Sequence, residues 1–267
     1  MHFSFVFSKE EKIILTDYSV SLKKIKMVEM PVDMQHQMMG YDRAATMFSP
    51  EGHILQVEYA ERTVRLGSAS IGIVCKDGVV MVADKRIKDT LIVPDSANKV
   101  YEIDEHIMAS AAGILSDARI LIERTQFISQ QHRVTYDSPI DVESVIKEIA
   151  NIMQAFTQYP GARPFGVSII IAGINTEQKL FVSDITGNYV AYKAIAIGEN
   201  DEKIKEHLRK KYKEDIVIED AIKLALKIFR DVLGKNFDVD RFDVGYIEKY
   251  DKKLKRISGE KLKRYLK

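Results

Sequence analysis

Gly67-Ser68 is the residue pair with the sharpest chemical potential in this chain. A hydroxyl residue directly after a glycine becomes a nucleophile if the chain is cut between them, because the freed α-amine then serves as its own base. Such a cut also discards everything upstream, including an amphipathic stretch from about His53 to Val64. The plainer reading is that Gly67 and Ser68 join that helix to a strand. Elsewhere the phenols of Tyr41 and Tyr59 and the carboxylate of Asp42 can exchange hydrogen bonds, and Arg43 can anchor a segment through a carboxylate or carbonyl. Cys75 is the only cysteine, so no internal disulfide and no cysteine-based metal site can form. It sits in an apolar run and reads as a buried, inert thiol, in keeping with a reducing cytoplasm. No cofactor is expected.

Charge is nearly balanced overall, at +1, and points to neither nucleic acid nor membrane. Its distribution is uneven. Residues 249–267 hold nine Lys/Arg against two acids, which leaves 31 basic and 37 acidic residues, a net of −6, in the rest. With Tyr250 and Tyr265 interleaved, this tail admits a standalone nucleic-acid-binding module. The favoured reading is a solvated terminal helix on an assembly surface. No run approaches the 18 or more apolar residues of a membrane span.

The elements that must position these residues alternate in type. Ser49-Pro50-Glu51-Gly52 is a tight turn, with Pro at its second position and Gly at its last. The helix after it offers Ile54, Leu55, Val57, Tyr59, Ala60 and Val64 on more than one face. Strands over 70–76 and 79–85 flank the hairpin signal Asp77-Gly78, and 99–103 and 106–111 form another short pair. A long helix runs from Gly113 through His132. A second follows Ser138-Pro139, with Val142, Val145, Ile146, Ile149, Ile152, Met153 and Phe156 as its stripe. Strands over 166–173 and 179–184 lead through Thr186-Gly187 into a strand over 188–196. Helices near 201–212 and 218–234 precede late strands near 241–257. Close hairpins and grouped helices predict an α/β chain, a four-layer α-β-β-α sandwich of two antiparallel sheets between helices. At 267 residues and 46% hydrophobic, one domain suffices.

The string Tyr41-Asp42-Arg43-Ala44-Ala45-Thr46-Met47-Phe48-Ser49-Pro50-Glu51-Gly52, continuing through Ala60, closely resembles the N-terminal signature of proteasome α subunits, archaeal type. Gly67-Ser68-Ala69-Ser70-Ile71-Gly72, Ala112-Gly113-Ile114-Leu115-Ser116-Asp117-Ala118-Arg119, Arg163-Pro164-Phe165-Gly166-Val167-Ser168 and Tyr192 to Gly198 resemble further landmarks of that family. The resemblance covers residues 39 to about 235. It implies the N-terminal-nucleophile hydrolase fold and a noncatalytic subunit of a heptameric outer ring, stacked on β subunits that cut peptides. It also implies a gate for unfolded protein substrates at Tyr41, Asp42, Arg43, Pro50 and Tyr59. A docking site for the C-terminal tails of a hexameric ATPase activator is implied at Lys99, with Gly52, Glu58, Gly67 and Gly113. There the lysine ammonium pairs with the tail's carboxylate.

Two departures matter. The family's catalytic members carry Thr where this chain has Ser68, and a Ser-Gly near the amine where it has Glu199-Asn200. Asp84 and Lys99 do fall where that chemistry keeps its supporting acid and lysine, so Ser68-dependent peptidase activity after autocleavage is the alternative. Ser96-Ala97-Asn98 replaces the commoner Ser-Ile-Glu before the lysine. Residues 1–33 look unlike the rest of the chain and are expected to be an atypical extension or a misassigned start, with Met27, Met30 and Met34 as later candidate starts. Residues 34–267 are the single α-type domain.

Overall fold

Strand β2 (Gly78–Asp84) is buried along all seven residues, and its alternation sorts them onto two apolar faces. Val80 and Val82 pack with helices, whereas Val79, Met81 and Ala83 pack against a second sheet. Strand β5 (Val167–Ile174) divides in the same way. Val167, Ile169 and Ile171 meet helices, and Ile170, Ala172 and Ile174 meet the other sheet. A strand covered on both faces has no polar alternation to show, which is why these segments read as continuous apolar runs.

The computed structural model describes residues 39–41, 43–86 and 91–266. Two units divide between Gly40 and Tyr41. Of the first, only Met39 and Gly40 are described, so the expected extension over 1–33 and its candidate starts lie outside the described residues. The second unit begins with helix α1 (Leu55–Leu66) and strand β1 (Ser70–Val74), followed by β2. Next come β3 (Val100–Asp104), β4 (Ile107–Gly113), α2 (Leu115–Tyr136) and α3 (Val142–Phe156), then β5. Strands β6 (Gln178–Ser183), β7 (Tyr189–Ala191) and β8 (Ala194–Ile197) lead to helices α4 (Asp201–Lys211) and α5 (Ile218–Leu233). Strands β9 (Phe242–Glu248) and β10 (Leu254–Ile257) and the single-turn helix α6 (Glu260–Lys263) complete it.

Two five-stranded sheets result, in the orders β10-β9-β2-β1-β8 and β3-β4-β5-β6-β7. Every pairing is antiparallel. Helices α4 and α5 cover the outer face of the first sheet, with Phe229 and Phe242 fully buried and their rings 4.8 Å apart. Burying each such side chain stabilises the fold by about 1.5–3 kcal/mol. Helices α2 and α3 cover the second sheet. The α-β-β-α sandwich of the sequence reading is the observed architecture, the layering of N-terminal-nucleophile hydrolases.

Of the α3 stripe Val142, Val145, Ile146, Ile149 and Met153 are buried and Ile152 is half-buried, while Phe156 at its end is partly exposed and lies tilted against the Phe165 ring. Asp141 caps this helix by accepting from the Glu143 amide at 2.9 Å. Helix α2 runs one turn past His132, to Tyr136.

The hairpin expected at Asp77-Gly78 forms, joining antiparallel β1 and β2; two other readings need correction. Gly78 does not take a left-handed conformation. It opens β2, and a Cβ there would lie 2.1 Å from the Ile247 carbonyl oxygen, so closeness of β9 requires glycine. Asp77 instead accepts from the Ile218 amide at the start of α5, at 2.9 Å. The strand expected over 188–196 is two strands in different sheets, because β7 pairs with β6 and β8 pairs with β1. The basic tail is not one solvated helix. It supplies β10 and α6, Leu262 is fully buried, and Lys255 bonds Glu248 and Asp251 at 2.7 Å each.

Candidate assembly and docking site

The signature segment folds around the expected turn. The Gly52 amide donates to the Ser49 carbonyl at 2.8 Å, and Gly52 takes φ +84, a left-handed conformation that glycine adopts without strain. The Ser49 amide donates to the His53 carbonyl at 2.7 Å, which closes the loop just ahead of α1. Leu55 and Ala60 are the buried positions of α1, while Val57, Tyr59 and Val64 are half-buried. A helix with so little fully buried face relies on its ends. At the C-terminal end the Thr63 hydroxyl reaches the Gly166 carbonyl at 3.2 Å, and the Gly67 amide closes on Thr63 and Val64.

Gly67 and Gly113 meet there backbone to backbone. A Cβ on Gly67 would lie 2.2 Å from the Gly113 nitrogen. Gly113 itself has φ +121, and a Cβ on it would lie 2.1 Å from the Gly166 carbonyl oxygen. The Gly67 carbonyl accepts from the Glu199 amide at 2.7 Å. This joint ties α1 to β4, to the start of β5 and to the loop after β8.

Lys99 closes the same joint from within. It is not a surface residue: its relative exposure is 3%. Its ammonium donates to the Ser68 carbonyl and, at 2.8 Å, to the Ser68 hydroxyl. Its main chain is pinned as well, because Asp243 Oδ2 accepts from the amides of Lys99 and Val100 at 2.8 Å each. Burial pulls the Lys99 ammonium down to about pKa 7; nearby Asp84 partly restores it and Arg86 lowers it further. Asp84 is buried and held by Arg241 at 2.6 and 3.1 Å, and Arg86 bonds Glu199.

Ser68, Lys99 and Asp84 are therefore assembled much as the nucleophile reading requires. The hydroxyl has a nearby amine of lowered basicity, and an acid stands behind it. The α-amine is what the site does not offer. It would come only from a cut after Gly67, whose carbonyl accepts from the Glu199 amide. Helix α1, which the cut would discard, is packed onto the sheet through Thr63 and Gly67.

Of the residues expected at a docking site, the fold brings Lys99, Gly67 and Gly113 together. Gly52 and Glu58 belong to the other end of α1, a helix of 12 residues that spans roughly 18 Å. There Glu58 bonds His53. Of the expected gate residues, Arg43 and Pro50 are exposed and Tyr41 is half-buried. The guanidinium of Arg62 sits 5.6 Å from the Tyr59 ring centroid. Asp42 lies outside the described residues. Sequence reasoning missed Asp243 as the residue that pins Lys99, and Ser68 as its partner. It also missed a bidentate pair between Arg163 and Asp117, at 2.7 Å for both bonds, with the Gly166 amide on Asp117 at 2.9 Å. That pair had a signal: both residues lie in landmark strings and carry opposite charges. Among the described residues no group of His, Cys, Asp and Glu could hold a metal ion, and no helix is long and apolar enough to cross a membrane.

Comparison with known proteins agrees with this geometry. The family model of the proteasome subunit matches residues 64–247, and the model of the N-terminal signature of A-type proteasome subunits matches residues 41–62. The proteasome alpha subunit of Archaeoglobus fulgidus is 43% identical over 85% of this chain and 93% of that protein. The proteins of the same name from Methanocaldococcus jannaschii and Pyrococcus horikoshii are 42% and 40% identical, each over 85% of this chain and 87% of its own length. The chain belongs to the proteasome subunit family, and within it to the noncatalytic α type.

Proposed function

We propose that this chain builds the outer, heptameric ring of a proteasome core in a reducing cytoplasm, stacks on β subunits, and controls entry of unfolded protein. The observation that carries this reading is the α-type signature over 41–62, folded as a turn and a helix tied to the sheet at one end. The large apolar side chains of Met47, Phe48 and Leu66 are exposed on and beside it. A single subunit gives them nothing to pack against, and neighbouring subunits would.

On this reading Tyr41, Asp42, Arg43, Pro50 and Tyr59 border the opening and hold the entering arms. Phenol and carboxylate can bond across neighbours, and Pro50 restricts the chain. Lys99, with Gly67 and Gly113 beside it and Gly52 and Glu58 at the far end of α1, receives the terminal carboxylate of an ATPase activator's tail. Within one chain the Lys99 ammonium is already occupied by Ser68, so docking takes the form of an exchange of partners. Native mass spectrometry of the chain co-expressed with the β subunit of its own organism tests the reading. Stacked heptameric rings are expected, and deleting residues 41–62 should abolish them. Normal rings from that deletion would remove the assembly role of the signature segment.

A further inference from the structure

Lys99 is a poor candidate for direct capture of a carboxylate as it stands. Its side chain is buried, its ammonium has two bonds to one residue, and its amide is fixed by Asp243 on β9. The charged groups around it are already committed. Asp84 on β2 is bonded to Arg241, which precedes β9, and Arg86 is bonded to Glu199 in the loop before α4. Asp243 also has Arg256 of β10 within 3.7 Å. The movable bond in this cluster is the one from the ammonium to Ser68.

We propose that Ser68 is a latch: it holds the Lys99 ammonium inside the subunit, and an incoming terminal carboxylate docks by taking that ammonium away. Ser68 is thus a positioning residue that sets the affinity of the docking site without touching the ligand. The proposal rests on the docking role given to Lys99 above. Competition of this kind lowers the apparent affinity by the fraction of subunits in which the ammonium is free. Removing the Ser68 hydroxyl removes one of the two bonds and raises that fraction.

The latch also makes docking sensitive to pH. With its pKa lowered to about 7, Lys99 is an ammonium below neutrality and an amine above it. A carboxylate pairs with the ammonium, so docking weakens as pH rises through 7. Where the complex keeps Lys99 charged, the loss approaches tenfold per pH unit.

The test uses the assembled α–β particle and two synthetic peptides. One is the last ten residues of the proteasomal ATPase of the same organism. The other is the same peptide closed by a C-terminal amide. Affinity is measured by fluorescence anisotropy between pH 6 and pH 8.5. The wild type should bind the free-acid peptide more tightly than the amide and lose affinity above pH 7. Ser68→Ala should bind three- to thirtyfold more tightly at pH 7, and Ser68→Thr, which keeps the hydroxyl, should restore the wild-type value. Lys99→Arg, which stays charged, should bind with a flat pH profile. If Ser68→Ala binds as the wild type does while Lys99→Ala binds weakly, the latch is wrong and the docking role stands. If acid and amide peptides bind alike and Lys99→Ala changes nothing, the docking role fails and the latch falls with it. A steep pH profile in Lys99→Arg would also overturn the latch.

Discussion

Replacing Gly67 by alanine should break the joint on which the signature helix depends. The added Cβ would sit 2.2 Å from the Gly113 nitrogen and 2.8 Å from its Cα. Real Cβ contacts essentially never fall below 3.0 Å, so one backbone must retreat by at least about 0.8 Å. Neither side can yield cheaply. The obstructing atoms are main chain, Gly67 is bonded to Glu199 through its carbonyl, and Gly113 sits at the junction of β4 and α2. Overpacking of a tight site costs about 1–3 kcal/mol, and a backbone-on-backbone clash belongs at the upper end, about 3 kcal/mol. That is a large share of the stability of an ordinary domain.

Gly161→Ala is the control that separates clash from conformation. Gly161 has a positive φ, +83, where Gly67 has −67, but nothing lies within 4 Å of its Cβ position. It should cost only about 1 kcal/mol, the penalty of left-handed backbone for a residue with a side chain. Urea unfolding of the isolated chain, followed by circular dichroism, measures both. Native mass spectrometry with β subunits reads assembly, which Gly67→Ala should impair and Gly161→Ala should not. A Gly67→Ala protein within 1 kcal/mol of wild type that still forms rings would refute the reasoning. It would mean that α1 can shift without consequence.

Two further expectations concern charged joints. Burial opposes ionisation of Asp117, but the Arg163 and Gly166 bonds outweigh it and hold the carboxyl below its usual value of 3.8. The stability from this pair is therefore full above pH 4 and lost as pH falls through the native value. Asp117→Asn should cost about 1–2 kcal/mol at pH 7, discounted because Arg163 is half in solvent, and the gap from wild type should close in acid; an equal gap at pH 7 and pH 2.5 in urea titrations would contradict it. Asp141→Ala removes the α3 cap and should cost about 1 kcal/mol by the same measurement, whereas no change would mean that the Glu143 amide finds water instead.

The layers were legible because both sheets bury apolar faces on two sides. Runs such as Val79 to Ala83 therefore carry their own signature, and the α3 stripe marks one helical face. The break between β7 and β8 was not legible. Tyr192 donates to Leu180 of the second sheet at 2.8 Å, while the next residue, Lys193, accepts from Val74 of the first sheet at 2.8 Å. A strand pattern reports that residues are extended, not which neighbour they join. Charge misled in the tail for a related reason. Lys255 and Arg256 place their charges on Glu248, Asp251 and the Val100 carbonyl, while Ile257 and Leu262 beside them are core. Lys99 was singled out by position alone, and its environment was hidden. Its partners Ser68 and Asp243 stand 31 and 144 residues away.

The same residues explain how one fold holds the parts of a nucleophile site in a noncatalytic subunit. In a processed chain the residue after the glycine begins the polypeptide, and its amine does the work of a base. Here the polypeptide continues upstream into α1, so Ser68 has an amide nitrogen and a carbonyl fixed between two elements. The lysine that would support the amine finds that carbonyl instead. Its bond joins the end of α1 to the segment entering β3, and Asp243 extends the connection to β9. The N-terminal turn of α1 follows the turn at Pro50 and carries Glu58, with Tyr59 next along the helix, so the proposed gate residues share one end of a short helix with Gly52 and Glu58, while Lys99, Gly67 and Gly113 gather at its other end. A carboxylate that removed Lys99 from Ser68 would release both ammonium bonds at the inner end, while the close Gly67–Gly113 backbone contact there would remain.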